Sequence, residues 1–250
     1  MINNLLQYCY EQGWGDTIYS INGTITLATR VLFLIFYRKK YNVKLWQTAI
    51  AIIIIFKLSD YVMLTLGWIE SGFQSWANGN FERVCVYIPL FALLVAKILK
   101  IPFGKMVDYI APGIALQKVV GPFGCPFFGC CYGCDCSWGI WNPFTEEKVF
   151  PVQWLECILV LFIFLYLLRL AKNEKYAGTG KIYANFLLIY GIVRFFLGYL
   201  KGGSKILLGI SNLEIHAFLM ILVGTAWLMA LYEKDQLQIS KQNTVHGLNE

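Results

Sequence analysis

The chain has 250 residues, of which 58% are apolar, 14% charged and 16% aromatic, with a formal net charge of +6 and a mean hydropathy of +0.57. Soluble domains carry about 25% charged residues and about 45–50% apolar ones, so a soluble globular fold is excluded, and so apolar a chain does not stay disordered. The positive charge lies in short clusters with no basic stripe or stacking platform, which excludes nucleic acid as a partner.

A membrane-crossing helix needs about 20 mostly apolar residues. Seven such segments are predicted, near 19–37, 46–68, 84–99, 107–128, 152–170, 182–200 and 213–232. The first starts late, with no basic segment before it and no small-residue cleavage site after it, so it reads as a span and not as a removable leader. The third is short, and the fourth is interrupted by Pro112, Gly113, Gly121 and Pro122. Irregular backbone at membrane depth is tolerated only where protein or a wet cavity covers it, so the fourth span is expected to line a site. The predicted fold is all-α: one seven-span polytopic domain over 1–232, then a polar tail over 233–250 that frays into the cytoplasm.

Orientation follows from Lys and Arg in the loops. Of 21 such residues, thirteen fall on one side, four (Arg83, Lys148, Lys201 and Lys205) on the other, and four (Arg30, Lys57, Lys118 and Arg194) within spans. The N-terminus is therefore expected outside and the C-terminus in the cytoplasm.

An ionisable group at the centre of a lipid span costs roughly 2.5–3.5 kcal/mol on insertion scales, so the charges retained there carry information. Lys57 and Asp60 are three residues apart, share a helix face and are expected to pair. Asp108 is expected to cap its own helix after Gly104. Arg30 falls mid-span, too deep for easy snorkelling. Arg194 also falls mid-span and cannot lose its proton, so it needs a permanent anion. Glu156, or a lipid phosphate, is suitable. Gln153 and Glu156 face one way near the outer end of the fifth span. The residues leave two readings open: a head-group site, because a guanidinium offers phosphate a planar fork of donors, or an Arg–Glu bridge between two helices.

Five of the eight cysteines lie in one run, Gly124-Cys-Pro-Phe-Phe-Gly-Cys-Cys-Tyr-Gly-Cys-Asp-Cys136; the others are Cys9, Cys85 and Cys157. Cys131 and Cys134 have the spacing of half a zinc site, but no matching second pair follows. An outward-facing loop suits disulfides, although adjacent Cys130 and Cys131 are strained partners. Small buried residues that let helices approach are the third reading. No metal is expected. Gly121, Gly124, Gly129 and Gly133 support close approach of the backbone to a helix or a ligand.

The stretch Asp108-Tyr-Ile-Ala-Pro112, followed by Gly121-Pro-Phe-Gly124-Cys-Pro-Phe-Phe-Gly129-Cys-Cys-Tyr-Gly133, resembles the signature region of the prolipoprotein diacylglyceryl transferase family. Pro151-x-Gln153-x-x-Glu156 is similar to the family's Pro-x-Gln-x-x-Glu, and Tyr190-Gly191-x-x-Arg194-Phe195 to its Tyr-Gly-x-x-Arg-Phe. Leu208-Gly-Ile-Ser211 is similar to its closing turn. Order, spacing and topology agree over about residues 105–232. There are departures. Pro122 stands at the signature arginine and Cys125 at the signature asparagine. Phe81-Glu-Arg-Val-Cys-Val-Tyr-Ile88 stands where a His-Gly-Gly-Leu element belongs. Gly198 stands at the acidic position four residues after the arginine.

The resemblance implies a multi-pass protein of the bacterial plasma membrane that moves a diacylglyceryl group from phosphatidylglycerol to the lipobox cysteine of a prolipoprotein signal peptide, with no cofactor. The implied catalytic residues are Arg194 and Glu156, and the implied substrate-binding residues are Gln153, Tyr190, Gly121, Gly124, Gly129 and Gly133. To these the chain's own residues add His216, the histidine at the outer start of the last span, as a catalytic base, and Lys118, on the fourth span, as a binding cation. His216 and a neighbouring cation are the two expected sources of substrate thiolate; His246 lies on the wrong side. The alternative is a non-catalytic or re-purposed membrane protein that kept the fold, binding lipid or modifying another peptide.

Overall fold

The computed structural model describes residues 2–70, 72–73, 81–201 and 212–247. The helices are α1 (Ile2–Glu11), α2 (Gly15–Tyr37), α3 (Leu45–Ala51), α4 (Lys57–Glu70), α5 (Phe81–Leu99), α6 (Phe103–Val120), α7 (Cys125–Phe128), α8 (Val152–Ala171), α9 (Lys181–Leu200) and α10 (Asn212–Gly247). A π-helical turn, Ile52–Phe56, joins α3 to α4 without a break. Strands β1 (Asp135–Trp141) and β2 (Lys148–Val149) pair antiparallel. The closing-turn segment Leu208–Ser211 and Lys205 lie outside the described residues.

Five stretches are long and apolar enough to cross a membrane: Gly15–Tyr41, Leu45–Ile69, Val152–Ala171, Lys181–Leu200 and Glu214–Ser240. Their outward faces carry Phe36, Ile53, Phe162 and Phe196, all exposed, as surfaces that meet lipid do. The chain is a predominantly helical, multi-pass membrane protein.

Helix α6 is the axis of the bundle, with every residue from Met106 to Ala115 buried. Small residues let its neighbours close in. A Cβ at Gly113 would stand 2.9 Å from the Leu34 side chain of α2. Tyr109 ties α2 to α3, its hydroxyl donating to the Leu34 carbonyl at 2.9 Å or to Thr48 Oγ1 at 3.1 Å.

Asp108 does cap a helix, although not the predicted one. Pro102 stands at the start of α6, and Asp108 instead accepts from the backbone N–H groups of Gly180 (2.8 Å), Ile182 (3.0 Å) and Tyr183 (3.1 Å). A buried carboxylate satisfies the free donors at the start of α9. The tail also departs from expectation. From 233 onward the chain continues α10 as helix to Gly247, because Glu, Lys, Gln and Leu favour helix and no glycine or proline intervenes before that point. The Lys57–Asp60 pair is absent from the ion pairs of the described residues, and Asp60 instead lines a cavity together with Arg30.

The short β1–β2 hairpin is an addition to the all-α fold that the sequence did not predict. Buried Asn142 builds its turn, with Oδ1 accepting from the N–H groups of Phe144 (2.9 Å) and Thr145 (3.1 Å). Helix α1 lies on this hairpin. Trp141 N–H donates to Asn3 Oδ1 at 3.0 Å, and Leu6 packs with Ile140 and Val149.

Candidate functional site

A cavity of about 660 Å³ opens between α2, α4, α5, α6, α8 and α9. Four basic side chains line it (Arg30, Lys118, Arg194 and Lys201) and three acidic ones (Asp60, Glu82 and Glu156). With these seven side chains ionised, they sum to one net positive charge.

Arg194 stands on α9 in the tightest ionic arrangement of the cavity. Its Nε lies 2.5 Å from Glu82 Oε1 and its Nη1 lies 3.0 Å from Glu156 Oε2. All three residues are buried. Tyr190, one turn earlier on α9, donates from its hydroxyl to Glu156 Oε1 at 2.9 Å, and Lys118 Nζ approaches the same oxygen at 3.9 Å. Lys118 also lies over the Phe81 ring, 4.3 Å from its centroid. The Arg–Glu bridge is thus present, and it has a second carboxylate. That carboxylate, Glu82, is not among the residues expected at the site. It stands at the start of α5, where the His-Gly-Gly-Leu element belongs. The adjacent charges Glu82-Arg83 at the head of an apolar span are the signal that could have found it.

Arg30 reaches the opposite wall from α2. Its Nη1 donates to Gln117 Oε1 in a short hydrogen bond, and its guanidinium stacks over Phe56, 3.9 Å from the ring centroid. Phe56 belongs to the π-helical turn, a feature that recurs at functional sites. The ion pairs of the described residues include none to Arg30, and its Nε is buried with no hydrogen-bond partner among them. Arg30 is therefore held directly by neutral groups, with Asp60 as the carboxylate whose charge reaches it across the same wall.

Gln153 also lines the cavity, its amide donating to the Cys130 carbonyl at 2.9 Å. Arg194, Glu156, Gln153, Lys118 and Gly121 therefore share one space. Tyr190 stands behind it, holding Glu156. His216 is not among the described residues lining it; its Nε2 accepts from Arg83 Nε at 3.0 Å. The other expected binding glycines face protein. A Cβ at Gly124 would stand 2.9 Å from Asn22 of α2, and one at Gly133 would stand 2.5 Å from the Phe150 carbonyl. Gly129 has φ +85°, and a Cβ there would stand 2.6 Å from Pro143 and Phe144 of the hairpin. Only glycine fits such a left-handed, crowded position.

Cys125, Cys130 and Cys131 converge, their Sγ atoms all within 4.8 Å of one another. Cys125 and Cys131 line the cavity. The Cys130 thiol donates to the Cys125 carbonyl at 3.9 Å. Cys134 is exposed, and the Cys131–Cys134 pairing does not form.

Residues 16–230 match the family model described as prolipoprotein diacylglyceryl transferase. A phosphatidylglycerol–prolipoprotein diacylglyceryl transferase of Dehalococcoides mccartyi is 28% identical over 149 residues, covering 56% of each chain. A second, of Clostridium perfringens, is 27% identical over 145 residues, covering 55% of each. A third, of Clostridioides difficile, is 28% identical over 155 residues, covering 61% of each. The chain thus spans little more than half the length of the curated relatives it matches.

Proposed function

The chain belongs to the prolipoprotein diacylglyceryl transferase family, and from that membership and the ionic make-up of the cavity we propose that it transfers the diacylglyceryl group of phosphatidylglycerol to the lipobox cysteine of a prolipoprotein. It does so as a seven-span protein of the bacterial plasma membrane, N-terminus outside and C-terminus in the cytoplasm, with 1–232 as the membrane domain. The substrate sulfur bonds to the glyceryl carbon. The bond from that carbon to the phosphate oxygen breaks, and glycerol phosphate leaves with the electron pair.

One observation carries this reading: four basic side chains face three carboxylates in the cavity, and among the described residues neither Arg30 nor Lys201 is closed off in an ion pair, Asp60 being the carboxylate that acts on Arg30 from the same wall. A phosphodiester brings one negative charge to these cations. Preformed donors and cations aimed at developing phosphate charge stabilise the transition state more than anything else such a site offers. Arg30 contacts the phosphate, assisted by Lys118 and Lys201. Arg194, fixed between Glu82 and Glu156, supplies a second, positioned cation to the departing group. Gln153 and the backbone at Gly121 form the adjoining wall, and Gly124, Gly129 and Gly133 set the path of the chain around it. Tyr190 positions Glu156, and His216 positions Arg83.

The test is transfer from phosphatidylglycerol to a lipobox peptide by purified protein, with variants matched for amount. Arg30→Ala and Arg194→Ala should each lower the rate on the order of 10²–10³-fold. The Lys variants should recover only part, because a point charge lacks the guanidinium fork. Unchanged transfer by both Ala variants would dismiss the site. No transfer by the unaltered protein, where another family member is active, would replace the enzyme reading with that of a lipid-binding protein that kept the fold.

A further inference from the structure

The proposed transfer needs a substrate thiolate, and no described histidine lines the cavity to make one. Glu82 and Glu156 are committed to Arg194, and Asp60 stands at the Arg30 end, away from the cysteines. The three converging cysteines stand where that chemistry is missing. We propose that Cys125, Cys130 and Cys131 hold a divalent thiophilic ion of the zinc class, with one coordination position open to the cavity where the incoming lipobox thiol binds as thiolate. This rests on the transferase reading and names how that site activates its acceptor.

The loop that carries these residues is built to bring them together. Helix α7 begins at Cys125 and stops after four residues at Gly129, whose φ of +85° turns the chain back. Cys131 follows with φ +58°, a left-handed conformation that costs a residue with a Cβ of order 1–3 kcal/mol. Packing alone does not account for a cysteine there, because its side chain is exposed to the cavity. Two buried amide side chains clamp the turn: Asn142 Nδ2 donates to the Gly129 carbonyl at 2.8 Å and Gln153 Nε2 to the Cys130 carbonyl at 2.9 Å. Such outer supports are what orient metal ligands.

The distances suit an ion. With Zn–S bonds of about 2.3 Å, sulfurs around one tetrahedral zinc stand roughly 3.8 Å apart. Three Sγ atoms already within 4.8 Å of one another close to that spacing by small side-chain rotations. Three thiolates and a divalent ion carry one net negative charge, and Lys118 and Lys201 line the same cavity. Three protein ligands with a fourth position open is the arrangement of catalytic zinc sites, whereas four closed ligands mark structural ones. A disulfide competes less well: Cys130 and Cys131 are adjacent and strained as partners, and any other pair strands the third thiol.

The chemistry balances without a redox partner. The lipobox thiol enters the open position and gives its proton to solvent, because a coordinating thiol is deprotonated. Its sulfur then forms the bond to the glyceryl carbon as the carbon–oxygen bond to phosphate breaks. The neutral thioether is a poorer ligand than the thiolate and leaves.

Cobalt(II) titration of the full-length, reduced, chelator-stripped protein in detergent tests this. One Co²⁺ per chain should bind with a thiolate-to-cobalt charge-transfer band. Cys125→Ser, Cys130→Ser and Cys131→Ser should each lose that band, while Cys134→Ser and Cys136→Ser keep it. A gel-filtration profile and thermal transition like those of the parent protein would show that each variant is folded. A lipobox peptide should shift the cobalt d–d bands, and the same peptide with serine for cysteine should not. Absence of the charge-transfer band in the reduced, folded protein overturns the proposal. So does a spectrum indifferent to the cysteine peptide, since it means a closed site. If the band appears and responds to peptide but no lipid is transferred, the metal site stands and the transferase reading fails. If transfer proceeds after chelation with no band, the transferase reading stands and the metal site fails.

Discussion

The side chain of Glu214, at the start of α10, fills the space beside Gly198 on α9. A Cβ added at Gly198 would overlap Glu214 Cγ and stand 2.8 Å from its Oε1. Glu214 is buried. Gly198 occupies the position, four residues after Arg194, where the family resemblance leads one to expect an acidic side chain. A carboxylate therefore returns to that place from the neighbouring helix, and the glycine is what makes room for it.

Gly198→Ala should accordingly destabilise the protein by about 1–3 kcal/mol, the usual cost of overpacking. In a Glu214→Ala background the same change should cost much less, because the two sites touch and couple. Thermal unfolding of the four members of the cycle in one detergent checks this. Equal costs in both backgrounds would show that the two residues do not compete for space.

Asp108 joins two helices distant in sequence through three backbone donors. Asp108→Ala should cost about 1–3 kcal/mol, since it leaves buried N–H groups at the start of α9 unsatisfied. Asp108→Asn should cost less, because one oxygen still accepts. Hydrogen exchange should rise first at residues 180–183. Equal loss for both variants would argue against a capping role.

Glu82 and Glu156 share one arginine, so neither is dispensable to stability. Glu82→Ala should destabilise by about 3–5 kcal/mol, the cost of removing one partner of a buried pair. Adding Arg194→Met should recover part of that loss, because the cation left short of a partner is then gone. Thermal unfolding distinguishes this from simple additivity, in which the second substitution would lower stability further.

Reporter fusions or cysteine accessibility at 38–44 and 172–175 should report cytoplasm. Basic residues dominate those loops, and such loops stay inside. An outside signal at either would reverse the topology proposed above.

Membrane class, the helical fold and the polar residues that gather at a cavity beside α6 were legible from the sequence. Each rests on a local quantity: run length of apolar residues, charge placed within such a run, and glycine or proline that interrupts it. Arg194, Gln153 and Glu156 could be singled out for the same reason, since a polar group in an apolar span is conspicuous wherever it ends up. The Arg194–Glu156 bridge was one of the readings the sequence left open, but the remaining partners were not legible. Glu82 reaches Arg194 from a helix remote in sequence, Arg30 is held by Gln117 of another helix, Asp108 serves a helix whose first donor lies 72 residues further on, and Glu214 meets Gly198 from a neighbouring helix. The cysteines show the same limit. Cys131 and Cys134 looked paired by spacing, yet the left-handed turn at Gly129 and Cys131 gathers Cys125, Cys130 and Cys131 and sends Cys134 toward the hairpin. Burial cost depends on the residue itself, so sequence reveals which groups must be compensated. Compensation depends on distance in space, so only the packing of the helices decides which group answers which.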